Sequence, residues 1–360
     1  MTELTSLSDA ASSLVDVLRQ NGLEFVPASP TDEPPVEAEP PDPDRARDDR
    51  HFDGGRHECY NVEPARSVSL EVGPPDRPDL FTYFLDGSLR TSYWGDVLAG
   101  GRTYPVLVSE IAVGVVERRR KEISTARLER RLCALFPFTE AAPAWSALRS
   151  VTGPLEPVCL EREPEPGADL RQKLAAKARE RLHHFEAGAA AALPRSQGEW
   201  LVIDGDLRDR CFLSLREVVG LAKSFSLRPV VTFRELAWTL DLPGVLRKLL
   251  VGCRTPVLAQ RNSEYRGLVF WYLRLWPAEC LDNYLQGVVK VETVLPGSWD
   301  AAKAAVVQEL SAALFAERFP CVYPERRWHA HIYPVHAAEL LVKSTLLPSL
   351  VLRQLLFLGR

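Results

Sequence analysis

The hydrophobic pattern of the chain twice carries an apolar run to an Asp-Gly pair. LFTYFLD at residues 80–86 precedes Gly87, and LVID at residues 201–204 precedes Gly205. Short apolar runs bounded by turn residues predict buried strands, and glycine permits the sharp change of direction that a turn needs. We therefore expect strands over 80–86 and 200–204, each ending in a carboxylate.

The first of these strands opens a predicted three-stranded meander. After a turn at Gly87, the alternation in LRTSYWG predicts a second strand over residues 89–95. The sequence LAGGR at 98–102 predicts another turn, and the Val- and Ile-rich segment 104–118 predicts a third strand. Strands joined by short turns pair antiparallel.

The remainder of the chain predicts alternating helices and strands. A meander followed by such elements indicates an α/β protein with a mixed sheet and flanking helices. The RNase H-like fold is the member of this class that places carboxylates on strand ends beside one another, and it is the fold class we predict. The expected helices span residues 8–22, 119–150, 169–192, 214–224, 301–317 and 334–358, and two further strands span 267–276 and 288–295.

Composition divides the chain into three parts. Residues 27–57 are rich in proline and acidic residues and contain little that could be buried. Such a composition is typical of a flexible linker or a poorly packed arm. The linker separates an N-terminal helical segment, 1–26, from the main domain, 58–360.

The charge of the chain limits how it can contact nucleic acid, and its cysteines indicate the cellular compartment. The 360 residues carry a net charge of −4, so any contact with nucleic acid is expected in a local groove. The seven cysteines form no C-x-x-C pair, which favours a reducing, cytoplasmic compartment over a disulfide frame or structural zinc. We expect neither a membrane span nor a secretory signal, because no window approaches eighteen uncharged apolar residues and the N-terminus lacks a basic region.

The two Asp-Gly pairs indicate a candidate metal site. If their strands are neighbours in one sheet, Asp86 and Asp204 lie close together, and each raises the pKa of the other. A divalent cation between them removes the repulsion, and hard oxygen ligands with open positions suit Mg²⁺ or Mn²⁺. Phosphodiester hydrolysis is the usual use of such a centre. The alternative is two ordinary hairpin turns, for which Asp-Gly is a favoured dipeptide.

The chain carries an ordered set of motifs, namely FLDGSLRT, VIDGDL, GLAKS (220–224), FWYLRL (270–275), VKVE (289–292) and HIYPVHAAELLVK (331–343). Together these motifs resemble those of the NurA nucleases. The resemblance implies an RNase H-like, Piwi-related core that forms a homodimer, uses Mn²⁺ or Mg²⁺ and degrades DNA. It also implies a partner, a HerA-type hexameric ATPase, in DNA end processing and repair or in antiviral defence against phage. The chain itself has no Walker A pattern, so the motor is expected on another chain.

The resemblance assigns catalytic roles to the acidic motifs. Asp86 and Asp204 match the first and second catalytic Asp of the family. The first choice for the family's helical Glu is Glu186, which lies eighteen residues before Asp204, and Glu180 is the alternative. The unused one of the two would be a solvated helix charge. Lys223 matches the family's Lys after the second motif and could contact a phosphate as a point charge.

The C-terminal motif departs from the family pattern. Many NurA proteins carry a Tyr and, eight residues later, a His, whereas this chain has His331 and Glu339. A carboxylate can replace imidazole as a ligand for a hard metal, and His331 would orient water or bind phosphate. If the alignment shifts by a residue or two, Tyr333 and His336 are the candidates. The predicted metal ligands are Asp86, Asp204, Glu186 and Glu339.

This departure leaves a second function open, namely a catalytically weak or inactive scaffold that regulates or docks the ATPase. A third hypothesis is an RNase H-fold enzyme that acts on RNA. Either the N-terminal helix or the last helix is expected to contact the ATPase or the twin subunit. For the last helix, the reason is that its LLPSLVLRQLLFL tail is more apolar than one exposed face needs.

Overall fold

The computed structural model describes most of the main domain and the N-terminal segment. Residues 29–57, nearly all of the predicted linker, lie outside the described residues, so the division into three parts stays a prediction. The described residues are 2–28, 58–77, 79–165, 167–207, 210–260, 267–277, 283, 285–318 and 328–358.

Within these ranges, fifteen strands join one mixed sheet. Most are short, but three consecutive strands of fifteen or more residues form its centre. The strands are β1 (Glu24–Pro27), β2 (Glu58–Asn61), β3 (Leu70–Glu71), β4 (Phe81–Ala99), β5 (Arg102–Arg119), β6 (Glu122–Phe136), β7 (Leu155–Cys159), β8 (Trp200–Asp204), β9 (Val218–Ala222), β10 (Val230–Phe233), β11 (Trp238–Asp241), β12 (Cys253–Arg254), β13 (Leu258–Gln260), β14 (Leu268–Arg274) and β15 (Val288–Val294).

Helices cover both faces of the sheet. The described helices are α1 (Thr2–Gln20), α2 (Trp145–Arg149), α3 (Leu170–Ala191), α4 (Arg210–Leu213), α5 (Leu242–Lys248), α6 (Ala301–Ala316), α7 (Tyr333–Thr345) and α8 (Ser349–Leu358), with a short 3-10 helix at Trp328–Ala330. Asp169 begins α3 and Asp300 begins α6, each accepting a hydrogen bond from a backbone N–H of the first turn. The strong propensity of the Ala-rich segment is thus realised in α3.

The centre of the sheet confirms the predicted α/β class with an RNase H-like mixed sheet. β4, β5 and β6 form an antiparallel meander. β8 pairs parallel with β4, and β9 pairs parallel with β8. The order β6–β5–β4–β8–β9 therefore puts the two strands of the Asp-Gly motifs next to each other.

The predicted turn at Gly87 is wrong. β4 continues through Asp86, Gly87 and Ser88, which pair in register with Gly114, Val113 and Ala112 of β5. Cross-strand pairing therefore overrides the local turn preference of Asp-Gly. At the second motif the prediction is confirmed, since β8 ends at Asp204 and the chain turns at Gly205 with φ +124°.

Two predicted helices are strands. The first half of the predicted helix 119–150 is largely β6, which follows a tight turn at Arg120 and pairs with β5. In the second half only the short α2 is helical. The centre of the predicted helix 214–224 is β9, whose five residues are all buried between β8 and β15. A short, wholly apolar run does not distinguish a buried strand from a buried helix.

The predicted helix 334–358 is two helices, α7 and α8, with a break at 346–348. The stretch Tyr333–Leu356 is long and apolar enough to cross a membrane by length and composition alone. This is weak evidence, because packed core helices pass the same test. Here α7 packs against β4 and β5, and α8 packs against α1.

The N-terminal helix is part of the folded body. α1 begins earlier than the predicted helix 8–22 and buries Leu14 and Leu18 completely. They share a hydrophobic cluster with Leu352 of α8 and with Trp94 of β4. The two ends of the chain therefore close one side of the central meander.

Candidate metal centre

Asp86 and Asp204 lie side by side on neighbouring parallel strands. The pairing of β4 with β8 runs through Leu85 and Ile203, and the next residue on each strand is the Asp. Side chains alternate along a strand, so the two carboxylates share one face. Neighbouring strands are about 4.8 Å apart. Asp86 is buried and Asp204 is half-buried, so the predicted juxtaposition of these two carboxylates is present in the fold.

Gly87 admits a third carboxylate to this point of the sheet. The side chain of Glu186, from the middle of α3, is buried against β4. A Cβ at Gly87 would overlap the Glu186 carboxylate, and it would also crowd Leu182 at 2.8 Å. The glycine of the first Asp-Gly pair therefore serves the close approach of a helix, not a turn.

Gly114 has the corresponding role on the opposite face. It pairs directly with Asp86 across β4 and β5, and a Cβ there would lie 2.6 Å from Val342 of α7. The missing side chain lets α7 lie close to the strand that carries Asp86. α7 in turn supplies the fourth carboxylate, Glu339, which is 5% exposed.

Lys223 lies between the strand carboxylates and α7. Leu221 of β9 pairs with Asp204, and Lys223 follows two residues later on the same face. Its Nζ is 2.7 Å from Asp204 Oδ2 and 3.6 Å from Glu339 Oε2. Its side chain is 6% exposed. This ammonium ties the end of β8 to α7.

Two histidines complete the cluster. His331 Nδ1 accepts a hydrogen bond from Lys223 Nζ at 3.3 Å. The Nδ1 atoms of His331 and His336 each lie 3.7 Å from Glu339 Oε2. One potential metal-binding atom from each of these three residues lies within 4.8 Å of the others, and all three residues are buried.

The environment moves the pKa values of two carboxyls in opposite directions. Burial raises the pKa of Asp86 well above its usual value, and Asp204 raises it further, with Lys223 opposing. Burial also acts to raise the pKa of Glu339, but Lys223, Lys343 and His331 outweigh it and lower this pKa to about 2. Glu339 is thus held ionised. Asp86, in contrast, is the carboxyl whose charged form the metal-free cluster disfavours.

The residues present fit a divalent cation. Asp204, Glu186 and Glu339 all act electrostatically on Asp86, and carboxylate oxygens are the ligands that Mg²⁺ and Mn²⁺ prefer. Asp86 is unfavourably placed among like charges, a condition that a bound cation relieves. Glu339 Oε2 is buried without a hydrogen bond among the described residues. Such an oxygen is available to coordinate.

Two candidates lie away from this cluster. The Glu180 carboxylate is exposed and pairs with Lys177 at 2.7 Å, away from the strand carboxylates. It is six residues from Glu186, which turns it to another side of α3. Tyr333 begins α7 and is exposed. Of the residues considered, the fold gathers Asp86, Asp204, Glu186, Lys223, His331, His336 and Glu339.

Sequence reasoning missed two neighbours of the carboxylates. His183 Nδ1 lies 3.0 Å from Glu186 Oε2, one helical turn away. Lys343 Nζ lies 2.6 Å from Glu339 Oε1, again one turn away. The i,i+3 and i,i+4 spacings of these pairs on helices are visible in the sequence. They gain significance only once the acidic partner is known to be buried.

Comparisons with known proteins include a distant likeness to a solved structure. No protein-family model and no curated protein matches the chain. Among solved structures, the chain is similar to the crystal structure of the NurA nuclease from Sulfolobus solfataricus, with 13% sequence identity and a TM-score of 0.42, over 81% of this chain and 85% of that chain. At this identity and TM-score, the likeness by itself decides neither the family nor the activity of the chain.

Proposed function

We propose that the protein is a metal-dependent deoxyribonuclease that hydrolyses phosphodiester bonds with Mn²⁺ or Mg²⁺. The observation that carries this proposal is that Asp86 and Asp204 share one face where β8 ends beside the continuing β4, with Glu186 and Glu339 close enough to act on the charge of Asp86. Three acidic side chains from three elements are brought together at a cost in electrostatic repulsion. Structural stability alone gives no reason for such an arrangement.

The chain's own groups would divide the chemistry between them. Asp86, Asp204 and Glu186 would hold the cation, with Glu339 as the fourth carboxylate. When bound, the cation would activate water and offset charge on the scissile phosphate. Lys223 would contribute positive charge beside the phosphate, and His331, which accepts from Lys223, would orient water.

Access for a strand of DNA is supported by the shape of the sheet at this point. β8 ends at Asp204, whereas β4 runs on to Ala99, so one edge of β4 is uncovered by β8 beyond Asp86. Asp204, Gly205 and residues 87–90 are half-buried. The phosphate groups of a DNA strand could therefore reach the carboxylates from the end of β8.

The proposed partners follow from the motif resemblance and from the chain's lack of a Walker A pattern. We propose a homodimer that receives DNA from a HerA-type hexameric ATPase, in the cytoplasm, during DNA end processing or defence against phage. The C-terminal helix α8, on which Leu350 is 61% exposed, is the proposed contact with the ATPase or the twin subunit.

A cleavage assay with matched variants tests the activity. End-labelled DNA and RNA are incubated with the purified protein and Mn²⁺, with and without EDTA. We expect the wild type to cleave DNA and the Asp204→Asn variant to lose roughly 100-fold or more of that rate, at least the loss that removing an outer-shell partner of a metal ligand causes. Glu180→Gln, on the same helix as Glu186 but outside the cluster, is the matched control and should cleave normally.

The same experiment separates the rival functions. An inactive scaffold would bind a HerA-type ATPase in a pull-down assay but show no Mn²⁺-dependent cleavage in the wild type. Metal-dependent cleavage of RNA with DNA left intact would favour the RNase H-fold enzyme that acts on RNA. Equal cleavage by the wild type and Asp204→Asn would contradict the proposed site.

A further inference from the structure

The turn that follows Asp204 is tied to β15, on the far side of β9. Asp204 ends β8, and Gly205 N donates a hydrogen bond to Leu221 O of β9 at 3.0 Å. Two residues later, Leu207 N donates to Glu292 Oε2 of β15 at 2.8 Å. The chain therefore crosses β9 within three residues of leaving β8, and a side chain of β15 holds the end of this crossing.

Gly220 leaves room for the crossing. It lies in the middle of β9 and pairs with Glu292 of β15. A Cβ on Gly220 would lie 2.8 Å from the carbonyl oxygen of Gly205 and 3.0 Å from Leu207 Cγ. The turn thus lies directly against β9, and a larger residue at position 220 would push it away.

A buried ion network fixes Glu292 in turn. Lys290 Nζ donates to Glu292 Oε1 and lies 3.7 Å from Asp206 Oδ1 in the turn itself. The side chains of Lys290, Asp206 and Glu292 are 16%, 10% and 6% exposed. Burial acts to lower the pKa of Lys290, but Asp206 and Glu292 outweigh it and raise this pKa, so the ammonium stays charged. A buried charge is stable only when it is paired, so the network keeps Glu292 in position to accept from Leu207.

Glu292 does not reach the metal centre with its own side chain. It pairs with Gly220 of β9, whereas Asp204 pairs with the next residue, Leu221. Because side chains alternate along a strand, Glu292 and Lys290 face the side of the sheet opposite to the Asp204 carboxylate. Any effect of Glu292 on the centre therefore passes through the backbone of the turn.

We infer that Glu292, anchored by Lys290, is a positioning residue that holds the turn after Asp204 and thereby keeps the Asp204 carboxylate in place for the proposed cation. The inference rests on the proposed function, since it concerns the same centre. It also gives a physical reason for two motifs of the sequence to occur in one chain. VKVE (289–292) supplies the anchor for the end of VIDGDL (202–207).

A second buried carboxylate offers a matched control. Glu63 also accepts a hydrogen bond from a backbone N–H, that of Val257, at 2.9 Å, and it pairs with a buried cation, Arg254 Nη1, at 2.6 Å. It lies just after β2, which four other strands separate from β8 in the sheet. Removal of either carboxylate leaves a buried N–H and a buried cation without their partner. A difference between the two variants in metal binding therefore reports on the turn after Asp204.

Glu292→Ala and Glu63→Ala are compared by calorimetric Mn²⁺ titration, by cleavage of DNA at saturating Mn²⁺ and by amide hydrogen exchange over residues 201–207. In folded Glu292→Ala we expect the affinity for Mn²⁺ to fall roughly 10- to 100-fold, as when a metal ligand loses its support, and the Leu207 amide to exchange faster. Glu63→Ala should match the wild type in all three measurements. Glu292→Gln, whose amide oxygen can still accept from Leu207 N, should recover most of the lost affinity.

The outcomes separate this inference from the proposed function. Wild-type Mn²⁺ affinity and cleavage in folded Glu292→Ala would overturn the inference alone, and so would a fall in affinity without faster exchange at Leu207. Equal losses in Glu292→Ala and Glu63→Ala would also overturn it, because the effect would then be one of general stability. No Mn²⁺ binding and no cleavage by the folded wild type would overturn both. If Glu292→Ala does not fold, as judged by circular dichroism, Gly220→Ala takes its place, because its Cβ displaces the same turn.

Discussion

At the scale of single residues, two glycines determine how closely helices approach the acidic cluster. Gly87 makes room for Glu186 of α3, and Gly114 makes room for Val342 of α7. The sequence showed that Gly87 was special but favoured the wrong reason, a turn. Nothing local could reveal that the glycine faces a helix almost one hundred residues later in the chain.

The role of Gly87 is tested by adding one methyl group. Gly87→Ala would force the Glu186 carboxylate and Leu182 away from β4. We expect the affinity for Mn²⁺ to fall on the order of 10-fold or more, as when a ligand loses its support. Isothermal titration calorimetry measures this. Gly188→Ala is the matched control on α3, because a Cβ there meets nothing within 4 Å. It should leave affinity unchanged and stabilise the protein by about 0.5–1 kcal/mol.

Asp86 should give the metal-free protein a recognisable pH dependence. Burial, followed by Asp204, raises the pKa of Asp86 in the folded state. Between its unfolded pKa, about 3.9, and the raised value, the folded state keeps a proton that the unfolded chain has lost. The free energy of unfolding contributed by Asp86 therefore falls as pH rises through this window.

Asp86→Asn removes this contribution and the metal ligand together. We expect the variant in EDTA to lose less stability than the wild type as pH rises above 5, and to melt at a higher temperature at neutral pH. It should also lose Mn²⁺ binding. The melts start above pH 5 so that Glu339 does not contribute. Its folded-state pKa is about 2, so its protonation changes stability only at lower pH. If the melting temperatures of the two proteins change equally with pH, the raised pKa of Asp86 is contradicted.

At the scale of elements, the sequence predicted best where composition clearly favours one structure, as in Ala-rich helices and apolar strands bounded by turn residues. α3, α6, β8, β14 and β15 lie where they were expected. The errors fall on 119–150 and 214–224, where charged or short apolar segments belong to strands whose partners are set by tertiary pairing. β6 is an example. Its exposed half carries many charges, which predicts a helix unless the pairing with β5 is known.

The junction between α7 and α8 is held by a buried carboxylate. Glu110, fully buried in β5, accepts hydrogen bonds from the backbone N–H of Leu347 through both oxygens at 3.0 Å. Arg130 Nε lies 3.0 Å from one of those oxygens. This contact fixes the C-terminal side of α7, the helix that carries Glu339.

α8 has two faces with different expected roles. Leu352 is fully buried against α1, so Leu352→Ala should cost about 2–5 kcal/mol of unfolding free energy, as in other buried Leu positions. Leu350 is exposed, so Leu350→Ala should change stability by less than about 0.5 kcal/mol. Urea unfolding compares the two, and similar losses would contradict the packing of α8 on α1.

The same two faces set the design of an assembly test. Truncation after Pro348 would uncover the α1 cluster and confuse unfolding with loss of contact. Leu350→Asp changes the exposed face alone. If α8 contacts the twin subunit or the ATPase as proposed, this variant should stay folded and associate more weakly in analytical ultracentrifugation.

At the scale of the whole molecule, the fold joins four distant segments into one cluster. The sequence could predict that Asp86 and Asp204 meet, because two similar motifs on buried strands suggest neighbouring strand positions. It favoured Glu186 over Glu180 only through the motif resemblance, since both have ordinary helical surroundings until the angle of α3 against β4 is known. The proximity of Lys223, His336 and Glu339 depends on how α7 packs over Gly114.

The central claim, that these acids grip a divalent ion, is tested most directly by calorimetric Mn²⁺ titration of the wild type, Glu186→Gln and Glu180→Gln at neutral pH. We predict that the wild type and Glu180→Gln bind Mn²⁺ with equal affinity and that Glu186→Gln binds at least 10-fold more weakly, with all three proteins folded. Absence of binding to the wild type, or equal affinity in all three proteins, would contradict the account.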